Sequence, residues 1–145
     1  MNFTSKKFSD LTLAELYEII KSRTEVFLLE QRIICQDLDD VDYKSLHCFF
    51  TDKERVRGYL RAFLSDEANG VVTIGRVLTL EHKKGLGTEL MKKSFEEIKK
   101  NFSCSKIAVH AQKQAVGFYE KMGFQTVSDE FLEEGVWHLT MEKEI

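Results

Sequence analysis

Between residues 82 and 88 the chain reads His82-Lys83-Lys84-Gly85-Leu86-Gly87-Thr88. Two glycines one residue apart, behind two lysines, suit a phosphate group. The segment lies between a strand-like run and a helical one, so Gly85 to Thr88 fall at a helix start. There the first backbone amides lack helical partners and the dipole end is positive. Gly85 and Gly87 present no side chain to an approaching anion, and Lys83 and Lys84 add charge. This is the chemistry of a pyrophosphate site. The same residues also suit a plain strand-to-helix turn with solvated lysines, and local chemistry leaves both readings open. A P-loop is excluded because it needs Gly-Lys followed by Ser or Thr, whereas Gly87 is followed directly by Thr88. The dinucleotide fingerprint fails at its third small position, where Leu90 stands.

A second candidate is Tyr119, within Ala115-Val116-Gly117-Phe118-Tyr119-Glu120-Lys121-Met122-Gly123-Phe124. Ala115, Phe118 and Met122 share one face of a helix, and Tyr119 lies about 100° round from Phe118. That puts its phenol at the edge of the core, either facing a cleft or packing. Glu30 is a candidate base, with a packed or capping role as the alternative. His47 and His138 are candidates to line a cleft, or else structural histidines on strands. Asp37, Asp39, Asp40 and Asp42 form an acidic run that reads as a solvated loop, a guide for cationic amines or a cation site. The EF-hand pattern fails there, with Val41 at its third ligand position. The four histidines show no paired metal spacing, so no metal is expected.

The elements that must position these residues follow from periodicity. Thr12-Leu13-Ala14-Glu15 is a capping box, opening a helix from 13 to about 29 with Leu13, Leu16, Tyr17, Ile20, Phe27 and Leu28 largely on one face. Strands are expected at 46–51, 56–64 and 71–80, with a charged turn at Asp52-Lys53-Glu54 and a turn at Asn69-Gly70. After Gly85 an apolar stripe of Leu86, Leu90, Met91, Phe95 and Ile98 predicts a helix. A strand at 106–110, a helix at 114–122 stopped by Gly123, and strands at 124–128 and 136–141 complete the order β-α-β-β-β-α-β-α-β-β. The fold class is mixed α/β, with a meander in the middle and parallel neighbours across the long helix.

Composition bounds the rest. With 43% hydrophobic and 31% charged residues, the chain can bury a real core as one domain, 1–145. There is no repeat and no proline. A net charge of -3 argues against a nucleic-acid partner. Cys35, Cys48 and Cys104 are odd in number and form no Cys-x-x-Cys pair, which suits a reducing compartment and hence the cytoplasm. Met1 to Asp10 lacks the apolar region of a signal peptide, and no run is long enough to span a membrane.

Residues 82–87 resemble motif A of the GNAT superfamily of N-acetyltransferases, Arg/Gln-x-x-Gly-x-Gly/Ala, with His82 where Arg or Gln is usual. Residues 115–124 resemble its motif B, a helix carrying Phe-Tyr and ending at Gly-Phe. Arg23, the run 26–31, the Asp37/Asp39/Asp42 set, Arg61, Gly75-Arg76-Val77 and the run 134–138 resemble ElaA-type members, so the resemblance spans nearly the whole chain. It implies a GNAT fold with a central, mainly antiparallel sheet flanked by helices, and acetyl-coenzyme A as cosubstrate. It carries the pyrophosphate onto Lys83, Lys84, Gly85, Leu86, Gly87 and Thr88, and the pantetheine arm onto Val77, Leu78 and Thr79. Tyr119 becomes the general acid, and amides around Val77 and Leu78 steady the oxyanion. The acceptor is then a small-molecule or peptide amine and the protein a monomer or homodimer. The rival reading is a non-catalytic acyl-coenzyme A binding module or sensor.

Overall fold

The computed structural model describes residues 1–81 and 85–145. Among these residues eight strands form one sheet: β1 (Asn2–Lys7), β2 (Leu46–Asp52), β3 (Arg55–Asp66), β4 (Val71–Thr79), β5 (Lys106–Gln112), β6 (Gln125–Thr126), β7 (Phe131–Glu133) and β8 (Val136–Glu144). Their order is β1-β2-β3-β4-β5-β8-β6, with β7 on β8. β4 and β5 are parallel, joined through a helix, and the other pairs are antiparallel. This is the mixed α/β, mainly antiparallel architecture expected from the sequence. The short β7 was not legible there.

Among the described residues three α-helices flank the sheet: α1 (Leu13–Arg23), α2 (Leu86–Asn101) and α3 (Val116–Lys121). On α2 the expected stripe is buried at Leu90, Met91, Phe95 and Ile98 against Cys48, Phe50, Leu60, Val72 and Ile74, with Leu86 at its margin. Because side chains alternate along a strand, Phe49 and Tyr59 point to the opposite face, where they meet Ile19 and Val26 of the α1 side. The helices therefore cover both faces.

The capping box forms as read: Glu15 N donates to Thr12 Oγ1 at 3.0 Å and Thr12 N to Glu15 Oε1 at 2.9 Å. The buried face of α1 differs from the expected one. Leu13 and Tyr17 are exposed, while Ile19, Ser22 and Arg23 are buried. Two polar residues take the inner face because each finds a partner there; Ser22 Oγ donates to Val56 O at 2.7 Å. Tyr17, Ile20 and Leu29 instead line an open groove of about 410 Å³ on the outer side. Beyond Arg23 the helix continues as a π-helical segment, Thr24–Glu30, so the expected extent holds but its register changes.

Candidate active site

β4 and β5 pair only from Val71↔Lys106 to Ile74↔Val109, although β4 runs on to Thr79 and β5 to Gln112. The two parallel strands open into a V. β5 stays with β8 as far as Gln112↔His138, so β4 is the strand that departs. Its pairing with β3 shows why. Tyr59 faces Leu78 and Arg61 faces Gly75, so Arg76 and Val77 together oppose Leu60. This is a β-bulge, which bends the strand that carries it. Arg76 has φ +53°, a left-handed conformation costly for a residue with a Cβ. Past Ile74 the β5-facing edge of β4, including Val77, Leu78 and Thr79, has no strand partner among the described residues.

Three arginines and three aspartates, paired several times over, hold the bulge. Arg76 Nε donates to Asp37 Oδ1 at 2.8 Å and its Nη2 to the Asp37 carbonyl at 2.9 Å. Arg23, 1% exposed, donates from Nε to Asp37 Oδ2 at 2.9 Å and from Nη1 to Asp42 Oδ1 at 2.7 Å. Arg61 forks onto Asp39, with both bonds at 2.7 Å, and also reaches Asp42 Oδ1 at 3.1 Å. The hydrogen bonds from Arg61 pull the Asp39 carboxyl down to about 2. Burial pushes the Asp42 carboxyl up, but the bonds and charges of Arg23 and Arg61 outweigh it and hold its pKa below the usual range. These pairs correct both the solvated-loop and the cation-guide readings of the acidic run at three of its four residues: Asp37, Asp39 and Asp42 already face three guanidinium groups and tie the loop to β3 and β4.

α2 begins beyond the open end of β4. Gly85 has φ +102° at its N-cap and no side-chain cap, and Glu89 N reaches Gly85 O at 2.9 Å. The amides of Leu86, Gly87 and Thr88 thus stand in the first turn, where no helical acceptor precedes them. A Cβ added at Gly87 would lie 3.4 Å from the Phe118 ring, so the two sequence motifs meet at this contact. Lys83 and Lys84, with His82, lie outside the described residues.

Tyr119 follows on α3. It is 6% exposed, within the core cluster that Val77 packs against. Its ring packs edge-on against Phe118 and Phe124. Burial pushes the phenol's pKa up, so its proton is retained at neutral pH. Gly123, at φ +95°, closes the helix as expected, with Phe124 N donating to Tyr119 O at 3.0 Å.

The other candidates separate. His47 is 1% exposed and has both ring nitrogens engaged. Its Nε2 donates to the Asp42 carbonyl at 2.9 Å, which leaves Nδ1 to accept from the Tyr59 hydroxyl at 2.8 Å. Burial lowers its pKa and keeps it neutral. It braces the arginine–aspartate network and is not brought to the V. His138, the register partner of Gln112, is brought there. Glu30 is exposed at the end of the π-helical segment, next to Gln31, whose Oε1 accepts from Gln112 Nε2 at 2.9 Å.

An opened strand pair beside an uncapped helix start fits a long phosphorylated thioester: backbone amides for its amide arm, helix amides for its phosphates. Residues 7–145 match the family described as Acetyltransferase (GNAT) domain. The chain belongs to this family. It is 36% identical to a UPF0039 protein of Schizosaccharomyces pombe, over 100% of this chain and 98% of the relative. It is 30% identical to protein ElaA of Escherichia coli, over 94% of this chain and 92% of ElaA. The ElaA crystal structure superposes with a TM-score of 0.89 at 28% identity, over 99% of both chains. An acyl-CoA N-acyltransferase of Pseudomonas aeruginosa gives 0.89 at 30% identity, over 98% of both. The fold is therefore the GNAT acyl-CoA N-acyltransferase fold, and the chain is ElaA-like. Among the described residues no helix is long and apolar enough to cross a membrane.

Proposed function

We propose that this GNAT protein is an N-acetyltransferase, acting as one cytoplasmic domain, that moves the acetyl group of acetyl-coenzyme A to an amine by direct attack. The observation that carries the reading is the V between β4 and β5, opening onto the start of α2. Acetyl-coenzyme A supplies an activated acyl group and a thiolate leaving group. The free edge of Val77, Leu78 and Thr79 receives the pantetheine arm, and the amides of Gly85, Leu86, Gly87 and Thr88 receive the pyrophosphate, with Lys83 and Lys84 adding charge. Amides at the Arg76–Val77 bulge and Leu78 donate to the carbonyl oxygen as it gains charge. Tyr119 holds a proton for the departing sulfur.

The rival reading, a non-catalytic acyl-coenzyme A binder, draws on the burial of Tyr119 among Phe118 and Phe124. Two measurements separate them. A thermal-shift comparison is expected to show acetyl-coenzyme A stabilising the fold and ATP and NAD not. A thiol-release assay over primary amines and peptide N-termini is expected to show amine-dependent turnover. Stabilisation by acetyl-coenzyme A without turnover on any amine would select the binder.

A further inference from the structure

An alkylammonium has a pKa near 10, so at pH 7 little of an amine substrate is free to attack. Some group at the acceptor side must take its proton. The sheet places one where β5 has parted from β4. His138 Nδ1 donates to Val136 O at 2.8 Å. A carbonyl accepts only, so the neutral ring carries its hydrogen on Nδ1 and keeps a lone pair on Nε2. That Nε2 stands 3.8 Å from Glu133 Oε2, too far for a direct hydrogen bond and near enough for one donor group to bridge both. Glu133 Oε1 accepts from His110 Nδ1 at 3.1 Å, which fixes the carboxylate. The Phe131 ring stacks on His138, with centroids 5.9 Å apart and planes at 21°, and meets His110 edge-on.

A lone pair, a carboxylate oxygen and an aromatic face share one small region. An ammonium group has the matching chemistry: several N–H donors and a positive charge. A metal does not, since among the described residues no group of three or more His, Cys, Asp or Glu is arranged to hold one. The geometry points to His138 as the base that deprotonates the acceptor, with Glu133 and Phe131 binding its ammonium form. This inference rests on the acetyltransferase reading and adds to it the group that receives the proton. The ammonium gives one proton to His138 Nε2. The nitrogen lone pair then forms the C–N bond while the C–S bond breaks. The sulfur takes a proton from Tyr119, and the remaining excess proton of the new amide nitrogen replaces it. His138 passes its proton to solvent, so the net products are amide, thiol and one proton.

The titratable and charged groups on the elements around His138 include Glu133 on β7, Glu134 in the hairpin turn and His110 on β5; Lys106 stands at the far end of β5, paired with Glu142 of β8 at 3.2 Å, beside Lys143 and Glu144. Lys113 lies just past the end of β5 and is already paired with Glu130 at 2.9 Å. His138→Asn keeps a donor near the Nδ1 position for the Val136 carbonyl and deletes Nε2. We expect kcat/KM for a primary amine to fall about tenfold or more at pH 7. The deficit should shrink as the pH approaches the amine's own pKa, because free amine then needs no base. Coenzyme A affinity and melting temperature should stay at wild-type values. A second measurement needs no turnover: titrating a primary alkylammonium should shift the nitrogen-15 resonance of His138 Nε2, and Glu133→Gln should weaken that binding. An unmoved Nε2 resonance at saturating alkylammonium, or a wild-type pH profile in folded His138→Asn, overturns the assignment. If the wild-type protein binds acetyl-coenzyme A but releases no thiol with any amine, the acetyltransferase reading fails and the base role with it. The alkylammonium titration then still decides whether an ammonium binds here.

Discussion

Arg76, in a left-handed conformation at φ +53°, is held by a 2.8 Å bond from its Nε to Asp37 Oδ1. The ion pair joins an unfavourable backbone kink on β4 to the loop that follows the π-helical segment. Asp37 also accepts from buried Arg23 at 2.9 Å, so one carboxylate couples α1 to the point where β4 turns away from β5.

Two substitutions at Arg76 separate the kink from the ion pair. Glycine adopts φ > 0 readily, so Arg76→Gly keeps the bulge and loses the pair, whereas Arg76→Ala loses both. Arg76→Ala should destabilise by about 1–3 kcal/mol and Arg76→Gly by less, as read by denaturant midpoints. If the bulge aims the amides of Val77 and Leu78, kcat should also fall more in the alanine variant. Equal kcat in two folded variants would remove the bulge from the chemistry.

At the start of α2, Gly87 faces the Phe118 ring at 3.4 Å from where a Cβ would sit. Gly87→Asp adds both bulk and a negative charge where phosphate oxygens are expected. Gly87→Ala adds only bulk, and controls for pressure on Phe118. Calorimetry should show coenzyme A affinity falling at least about tenfold in the aspartate variant, and less in the alanine one. Unchanged affinity in Gly87→Asp would move the cradle elsewhere.

What the sequence made legible was what periodicity and local turn chemistry encode: β2 to β5, the stripe of α2, the Thr12–Glu15 box and the Gly123 stop. Polar burial escaped it. Ser22 and Arg23 break the apolar pattern of α1, so the outward-facing Leu13 and Tyr17 looked like its core face. The aspartates were visible as charge but not as pairs, because Arg23, Arg61 and Arg76 reach them across 14, 22 and 39 residues of chain. The bulge was invisible since arginine is no signal for φ > 0. At the site, both motifs were readable, but their contact through Gly87 and Phe118 was not. His138 was readable only as a candidate equal to His47, since one residue's hydrogen-bond partners depend on the whole sheet.

The network gives stability a defined acid dependence. Asp39, held at about 2 in the fold, has an unfolded value near 3.9. A depressed carboxylate contributes stability that is present above the unfolded value and lost as pH falls toward the folded one. His47 acts higher up: burial lowers its pKa, so below about pH 6.5 the unfolded chain takes a proton that the fold resists. Both effects make stability fall on acidification, first below about pH 6.5 and again between about 4 and 2. His47→Gln, whose amide can still donate to the Asp42 carbonyl, should flatten the upper stage, and Asp39→Asn the lower. Denaturant midpoints across pH test this. A wild-type upper stage in His47→Gln would assign it to another histidine.

The Tyr119 hydroxyl carries the most demanding expectation, because the same residue is both core and candidate acid. The departing thiolate resembles cysteine, with a thiol pKa near 8.5. A phenol can share or deliver a proton to it within a hydrogen bond, and burial keeps that proton in place at neutral pH. Tyr119→Phe retains the ring between Phe118 and Phe124 and removes only the hydroxyl that carries the proton. General acid catalysis is typically worth about 10²–10⁴-fold, and a thiolate is itself a fair leaving group, so the loss should lie toward the low end. We expect kcat to fall at least about tenfold, with coenzyme A affinity and melting temperature little changed. A hydroxyl that serves packing would behave differently: melting temperature would move while kcat of the folded fraction held. Wild-type kcat in a well-folded Tyr119→Phe protein would sink the acid role and leave Tyr119 as a core residue alone.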